Sequence, residues 1–134
     1  MDSVITPIDR SSFDNNVHIV DPSLQGPVVI LFWHQQCPHC TNYHPAFNEA
    51  AKEASKYGVV FKEVHVPDNE DLINLINSYP KPKFTLDGWP FVAGFLGGDF
   101  FAFYGPGPNK DKYRSVAETV YFAKNLGKEK VVYV

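Results

Sequence analysis

The chain has 134 residues, carries a net charge of −3, and is 44% hydrophobic and 15% aromatic. That length suits a single domain over residues 1–134 with a short tail from 127, and it should bury about two-thirds of its unfolded surface without covalent cross-links. Interspersed charges leave no basic footprint for nucleic acid, no apolar run nears the ~20 residues of a membrane span, and Met1-Asp2-Ser3-Val4 lacks the basic start of a secretory signal, so the expected setting is cytoplasmic.

In chain order, Val4 to Ile8 reads as a short strand, and Asp9 to Ser12 supply capping side chains for a brief helix through Asn16. Asp21-Pro22 and Gln25-Gly26-Pro27 punctuate the loop that follows. Val28 to Trp33 is a continuous apolar run without alternation, the pattern of a strand buried on both faces. A long helix is predicted from Pro38 to about Tyr57, with Ala46, Phe47, Ala50, Ala51 and Ala54 at helical spacing and Gly58 as its breaker. Val59 to His65 reads as a second buried strand, and Asp68 can cap a helix carrying Leu72, Leu75 and Ile76. Lys83 to Leu86 reads as a strand turned by Asp87-Gly88, Phe100 to Tyr104 as another, and Asp111 to Asn125 as a last helix before Gly127. Strands alternating with helices in this way imply an α/β fold, a central mixed sheet with helices on both faces.

The chain has two cysteines, and both lie in Cys37-Pro38-His39-Cys40. A disulfide there would close almost no loop, so it would add little as a structural link. In a reducing compartment such spacing reads as redox or metal chemistry. The pair follows the buried strand and opens the long helix. There, free backbone N–H groups and the positive end of the macrodipole stabilise the thiolate, which is the attacking form of Cys37. Pro38 suits the first helical position, where a missing N–H costs nothing. His39 can offer a positive charge or a hydrogen bond toward the Cys37 sulfur. Cys40, one turn on, is placed to attack a mixed disulfide on Cys37 and release the substrate. A zinc site is the competing reading, with His34, His39 and His44 nearby and His44 on the helical face of Cys40. It lacks the second ligand pair that a structural site requires, so no metal and no cofactor is assigned.

The stretch Phe32-Trp33-His34-Gln35-Gln36-Cys37-Pro38-His39-Cys40 resembles the active-site segment of thioredoxins and protein disulfide isomerases, and Pro45 matches the helix-kinking proline of that superfamily. Pro45 to Glu53 is similar to the active-site helix of disulfide isomerase domains, and Tyr79-Pro80-Lys81-Pro82-Lys83-Phe84 resembles the family's cis-proline segment. The likeness runs from about Val4 to Asn125. It implies a thioredoxin fold and thiol–disulfide exchange with protein substrates, in which Cys37 attacks, Cys40 resolves, and Pro38 and His39 tune the pair. It further implies that Pro80 is the cis residue facing the dithiol, that Tyr79 pairs with an extended substrate segment, and that Trp33 lies on the substrate side. Thioredoxin reductase or glutathione would be the electron partner.

Three positions depart from that pattern. Leu31 stands where relatives carry a buried acid six residues before the first cysteine, Gln36 replaces their Trp, and Thr41 replaces their Lys. The missing acid should slow resolution of mixed disulfides. Pro-His between the cysteines is the pair of strongly oxidising DsbA, whereas Gly-His belongs to disulfide isomerases and Gly-Pro to thioredoxins. The expectation is therefore isomerase-like activity, with a thioredoxin-type reductant or a redox-linked module regulating one partner as alternatives. Trp89 to Phe103 is longer and more aromatic than the family's usual hairpin. Phe101 and Phe103 are read as core, and Trp89, Phe91 and Phe95 as an exposed patch for a protein contact. His18 and His65 are read as ordinary structural or surface residues, and Val131 to Val134 as a tail that either docks on a sheet edge or frays.

Overall fold

The computed structural model describes residues 4–78, 84–86, 88–104, 115–127 and 132–133. Its strands are β1 (Ile5–Pro7), β2 (Val28–Trp33), β3 (Val60–His65), β4 (Phe91–Leu96), β5 (Asp99–Tyr104) and β6 (Val132–Tyr133). Its helices are α1 (Pro38–Ala54), α2 (Glu70–Ser78) and α3 (Val116–Lys124). The strands form one mixed sheet in the order β1-β3-β2-β4-β5-β6. β1, β3 and β2 run parallel, β4 is antiparallel to β2 and to β5, and β6 docks parallel on β5, which settles the tail as a sheet edge.

β2 is buried from Val28 to Phe32, as its unbroken apolar run predicts. Alternation along the sheet divides the core into two. Val29, Leu31, Phe61 and Val92 face α1 and α3, meeting Tyr43, Phe47, Ala51 and Phe122. Val28, Ile30, Phe32, Val64 and Phe91 face the opposite way, against Leu72 and Ile76 of α2 and the loop residues Phe13, Ile19 and Leu24. α1 ends in a 3-10 turn over Ser55–Tyr57, and Gly58 closes it at φ +82°, a left-handed conformation that glycine adopts without a Cβ penalty.

Three expectations change. Of the strand expected over Lys83 to Leu86, the described residues Phe84 to Leu86 are not a strand. Phe84 and Leu86 are buried, but Asn77 at the end of α2 occupies both polar backbone groups of Leu86, giving Nδ2–H to its carbonyl at 3.0 Å and accepting from its N–H at 2.8 Å. The strand beside β2 is instead β4, and Gly97-Gly98 turn it into β5. β3 is only half-buried, because Phe61 and Val64 are its buried residues while Lys62, Glu63 and His65 are partly exposed. Finally, Phe91 and Phe95 are 4% and 0% exposed, so they form core rather than a contact patch. Odd positions of β4 point to the α2 side, where Phe91 stacks on Phe103 at 5.3 Å and Phe95 meets Phe13 edge-on at 6.0 Å. Phe101 and Phe103 pack on the two cores as expected, helped by a bulge in β5 opposite Gly94 and Phe95.

Candidate active site

The end of β2 delivers Trp33, and His34 to Gln36 form the turn that leads into α1. Cys37 is its N-cap, in extended conformation, and Pro38 takes the first helical position. The N-cap geometry sets the pair. Cys37 Sγ accepts from the Cys40 N–H at 3.4 Å, and the Cys37 carbonyl accepts from the Thr41 N–H at 3.1 Å. A sulfur in this place meets an unpaired helical donor as an oxygen cap would. Both cysteines are free thiols. Cys37 is half-buried and Cys40 fully buried, so only the first presents its sulfur to solvent. Burial, joined by a hydrogen bond to Cys37, pushes the Cys40 thiol pKa up to about 12, against a smaller lowering by the backbone of His34. Pro38 and His39 are exposed on the first turn.

Across from the pair lies a cis peptide between Trp89 and Pro90, immediately before β4. The Cys37 thiol donates to the Trp89 carbonyl at 3.6 Å. β4 is antiparallel to β2, with Phe91 opposite Phe32, so the residues just before β4 arrive beside the residues just after β2. Tyr79 and Pro80, expected in this position, lie outside the described residues. The signal in the sequence was the X-Pro step directly ahead of the strand that pairs with β2. It was obscured because Lys83 to Leu86 had the better-looking strand alternation.

Trp33, half-buried at the end of β2, lines a surface cavity and packs against two imidazoles. Its ring lies 4.5 Å from that of His44 and 5.4 Å from that of His65. His44 Nε2 is 2.9 Å from Glu63 Oε1, and His65 Nδ1 is 2.8 Å from Asp68 Oδ2. His44 is thus engaged by a carboxylate of β3. Among the described residues no three His, Cys, Asp or Glu side chains come together as a metal-binding group. His65 belongs to this cluster, and His18 bridges Asp14 and Asp99 at 3.3 and 3.0 Å. Leu31 is fully buried against the α1 core. Its register partner on β3 is Glu63, a residue that sequence reading left without a role.

A cysteine pair at the first turn of a helix, faced by the carbonyl before a cis-proline, goes with a sequence profile that matches residues 4–96, that of Thioredoxin. The chain belongs to the thioredoxin family. Several solved thioredoxin-fold structures are similar to it in shape. Human ERp44 form I superposes with a TM-score of 0.69 at 19% identity over 95% of this chain, which spans 30% of the ERp44 chain. The J-Trx1 fragment of ERdj5 gives 0.64 at 22% identity, covering 97% of this chain and 52% of the fragment. The thioredoxin of Malassezia sympodialis gives 0.60 at 18% identity, covering 88% and 93%. No curated protein matches the sequence. Likeness at these identities is one of fold, and the thioredoxin-family membership rests on the profile match. Among the described residues no helix is long and apolar enough to cross a membrane.

Proposed function

We propose that this thioredoxin-family chain exchanges disulfides with protein substrates through Cys37 and Cys40, with activity of the isomerase type. The observation that carries the reading is the half-buried Cys37 at the N-cap of α1 with the Trp89 carbonyl 3.6 Å from its sulfur. Cys37 attacks a substrate disulfide, the distal substrate sulfur leaves as a thiolate, and a mixed disulfide remains on Cys37. Cys40 then attacks Cys37 and frees the substrate. The Trp89–Pro90 peptide takes the place given above to Tyr79–Pro80, with backbone able to pair with an extended substrate strand. His39 on the first turn supports the thiolate, and glutathione or a thioredoxin reductase restores the starting state.

The isomerase assignment rests on His39 between the cysteines as support for the Cys37 thiolate, and is tested by the reduction potential of the pair against glutathione. A value near about −180 mV, that of protein disulfide isomerase, is expected. A value at or below about −270 mV overturns it in favour of a thioredoxin-type reductant. The second reading, a redox-linked module for one partner, is favoured by the fully buried, apolar Leu31 at the position where relatives carry an acid. Cys40→Ser separates the two. General exchange traps many proteins covalently, whereas a dedicated module holds one partner even with both cysteines replaced.

A further inference from the structure

Resolution requires Cys40 to lose a proton before its sulfur can attack. Cys40 is fully buried, and Leu31, at the position where the resemblance expects a buried acid, is apolar and equally buried. The titratable groups around this place come from four elements. Cys37 and His39 stand on the first turn of α1 and His34 in the turn before it. His44 is on the second turn of α1. Glu63 and His65 come from β3, and Asp68 of the following 3-10 turn engages His65.

Of these, His44 and Glu63 form a pair inside the α1–β3 interface. His44 is four residues past Cys40, which puts the two Cβ atoms about 5–6 Å apart on one helix face. Helical side chains lean back over the preceding turn, toward Cys40. The His44 imidazole meets Glu63 at 2.9 Å, the two side chains being 30% and 21% exposed. Glu63 is in register with Leu31 on the neighbouring parallel strand, so its side chain leaves the sheet on the same face. An acid therefore stands one strand away from the position that lacks one. Glu63 also lines a surface cavity of about 770 Å³ with Arg10, Trp33 and His65, so its carboxylate borders solvent.

We propose that the His44–Glu63 pair takes up the Cys40 proton when Cys40 resolves a mixed disulfide. This rests on the exchange reading above. The Cys40 sulfur bonds to Cys37 Sγ, the bond from Cys37 to the substrate sulfur breaks, and that sulfur leaves with the electron pair as a thiolate. The Cys40 proton passes to the pair and from Glu63 to water in the cavity. The two cysteines are oxidised to a disulfide, and the substrate disulfide is reduced.

The test is a stopped-flow reaction of the reduced full chain with excess dithiobis-nitrobenzoate, followed from mildly acidic to alkaline pH. The first chromophore release reports attack by Cys37 and the second reports resolution by Cys40; Cys40→Ser identifies the first phase. His44→Gln and Glu63→Gln each remove proton uptake while keeping a polar side chain, and either alone suffices if the other loses the fold. The expected result is a second phase slowed about tenfold or more at neutral pH, an unchanged first phase, and a deficit that closes at alkaline pH, where hydroxide takes the proton. A second phase equal to wild type at every pH overturns the inference, as does a deficit independent of pH or shared equally by the first phase. Absence of both phases in the wild-type chain overturns the exchange reading itself, and this inference with it.

Discussion

Cys37 and Cys40 sit one helical turn apart in opposite surroundings, one at the rim of the helix and one inside the core. That contrast has a thermodynamic consequence. In the unfolded chain the Cys40 thiol titrates near 9, and in the folded reduced protein it holds its proton up to about 12, chiefly because it is buried. Across that window the unfolded chain binds fewer protons than the native one, so stability present at neutral pH is lost as pH rises. Urea unfolding of the reduced protein at a series of alkaline pH values should show the decline. Cys40→Ser should show a shallower one, and an identical slope in the variant would contradict the assignment. The same burial explains why the pair was legible in the sequence while its environment was not. Spacing identifies two thiols at a helix start, but the partner of both His44 and Leu31 is Glu63 of β3, 19 residues beyond the first, and only the β2–β3 register brings it there.

At the scale of elements, α3 lies so close to β4 that the strand needs a glycine. A Cβ on Gly94 would come within 2.5 Å of Leu126 Cδ2 and 3.1 Å of the Phe122 ring. Gly94→Ala should therefore destabilise the fold by about 1–3 kcal/mol, read as a lower urea midpoint with little change in slope. A neutral result would mean that α3 shifts freely. A second tie holds α3 on the same face, the hydrogen bond between the buried Tyr43 hydroxyl of α1 and Thr119. β2 and α1 were readable in advance because each states itself locally, one as an unbroken apolar run and the other through Pro38, its alanine spacing and Gly58. β4 was not. Its Phe91-Val92-Ala93-Gly94-Phe95 follows a Trp-Pro step in an aromatic-rich stretch, and the alternation at Phe84 and Leu86 belongs to a loop pinned by one asparagine. Local pattern there pointed to a strand, and a side chain from α2 decided otherwise.

For the molecule as a whole, β2 is the common wall of both halves of the core. Its even positions face α2 and its odd positions face α1 and α3. Phe32 is fully buried and touches the rings of Phe84 and Phe91 at 6.3 Å each, joining the strand to the loop and to β4. Phe32→Ala should cost about 3–5 kcal/mol and lower the thermal midpoint in a single transition. Separate melting of the two halves would show that they are independent. The wall also explains why function sits where it does, since β2 ends in the turn that leads to Cys37 and β4 begins at the peptide facing it. Both tryptophans of the chain lie at that junction, Trp33 closing β2 between two imidazoles and Trp89 with its carbonyl on the Cys37 sulfur. Tryptophan emission of this protein therefore comes from two residues that flank the site, and it should differ between the reduced and the oxidised pair, a readout that needs no attached label.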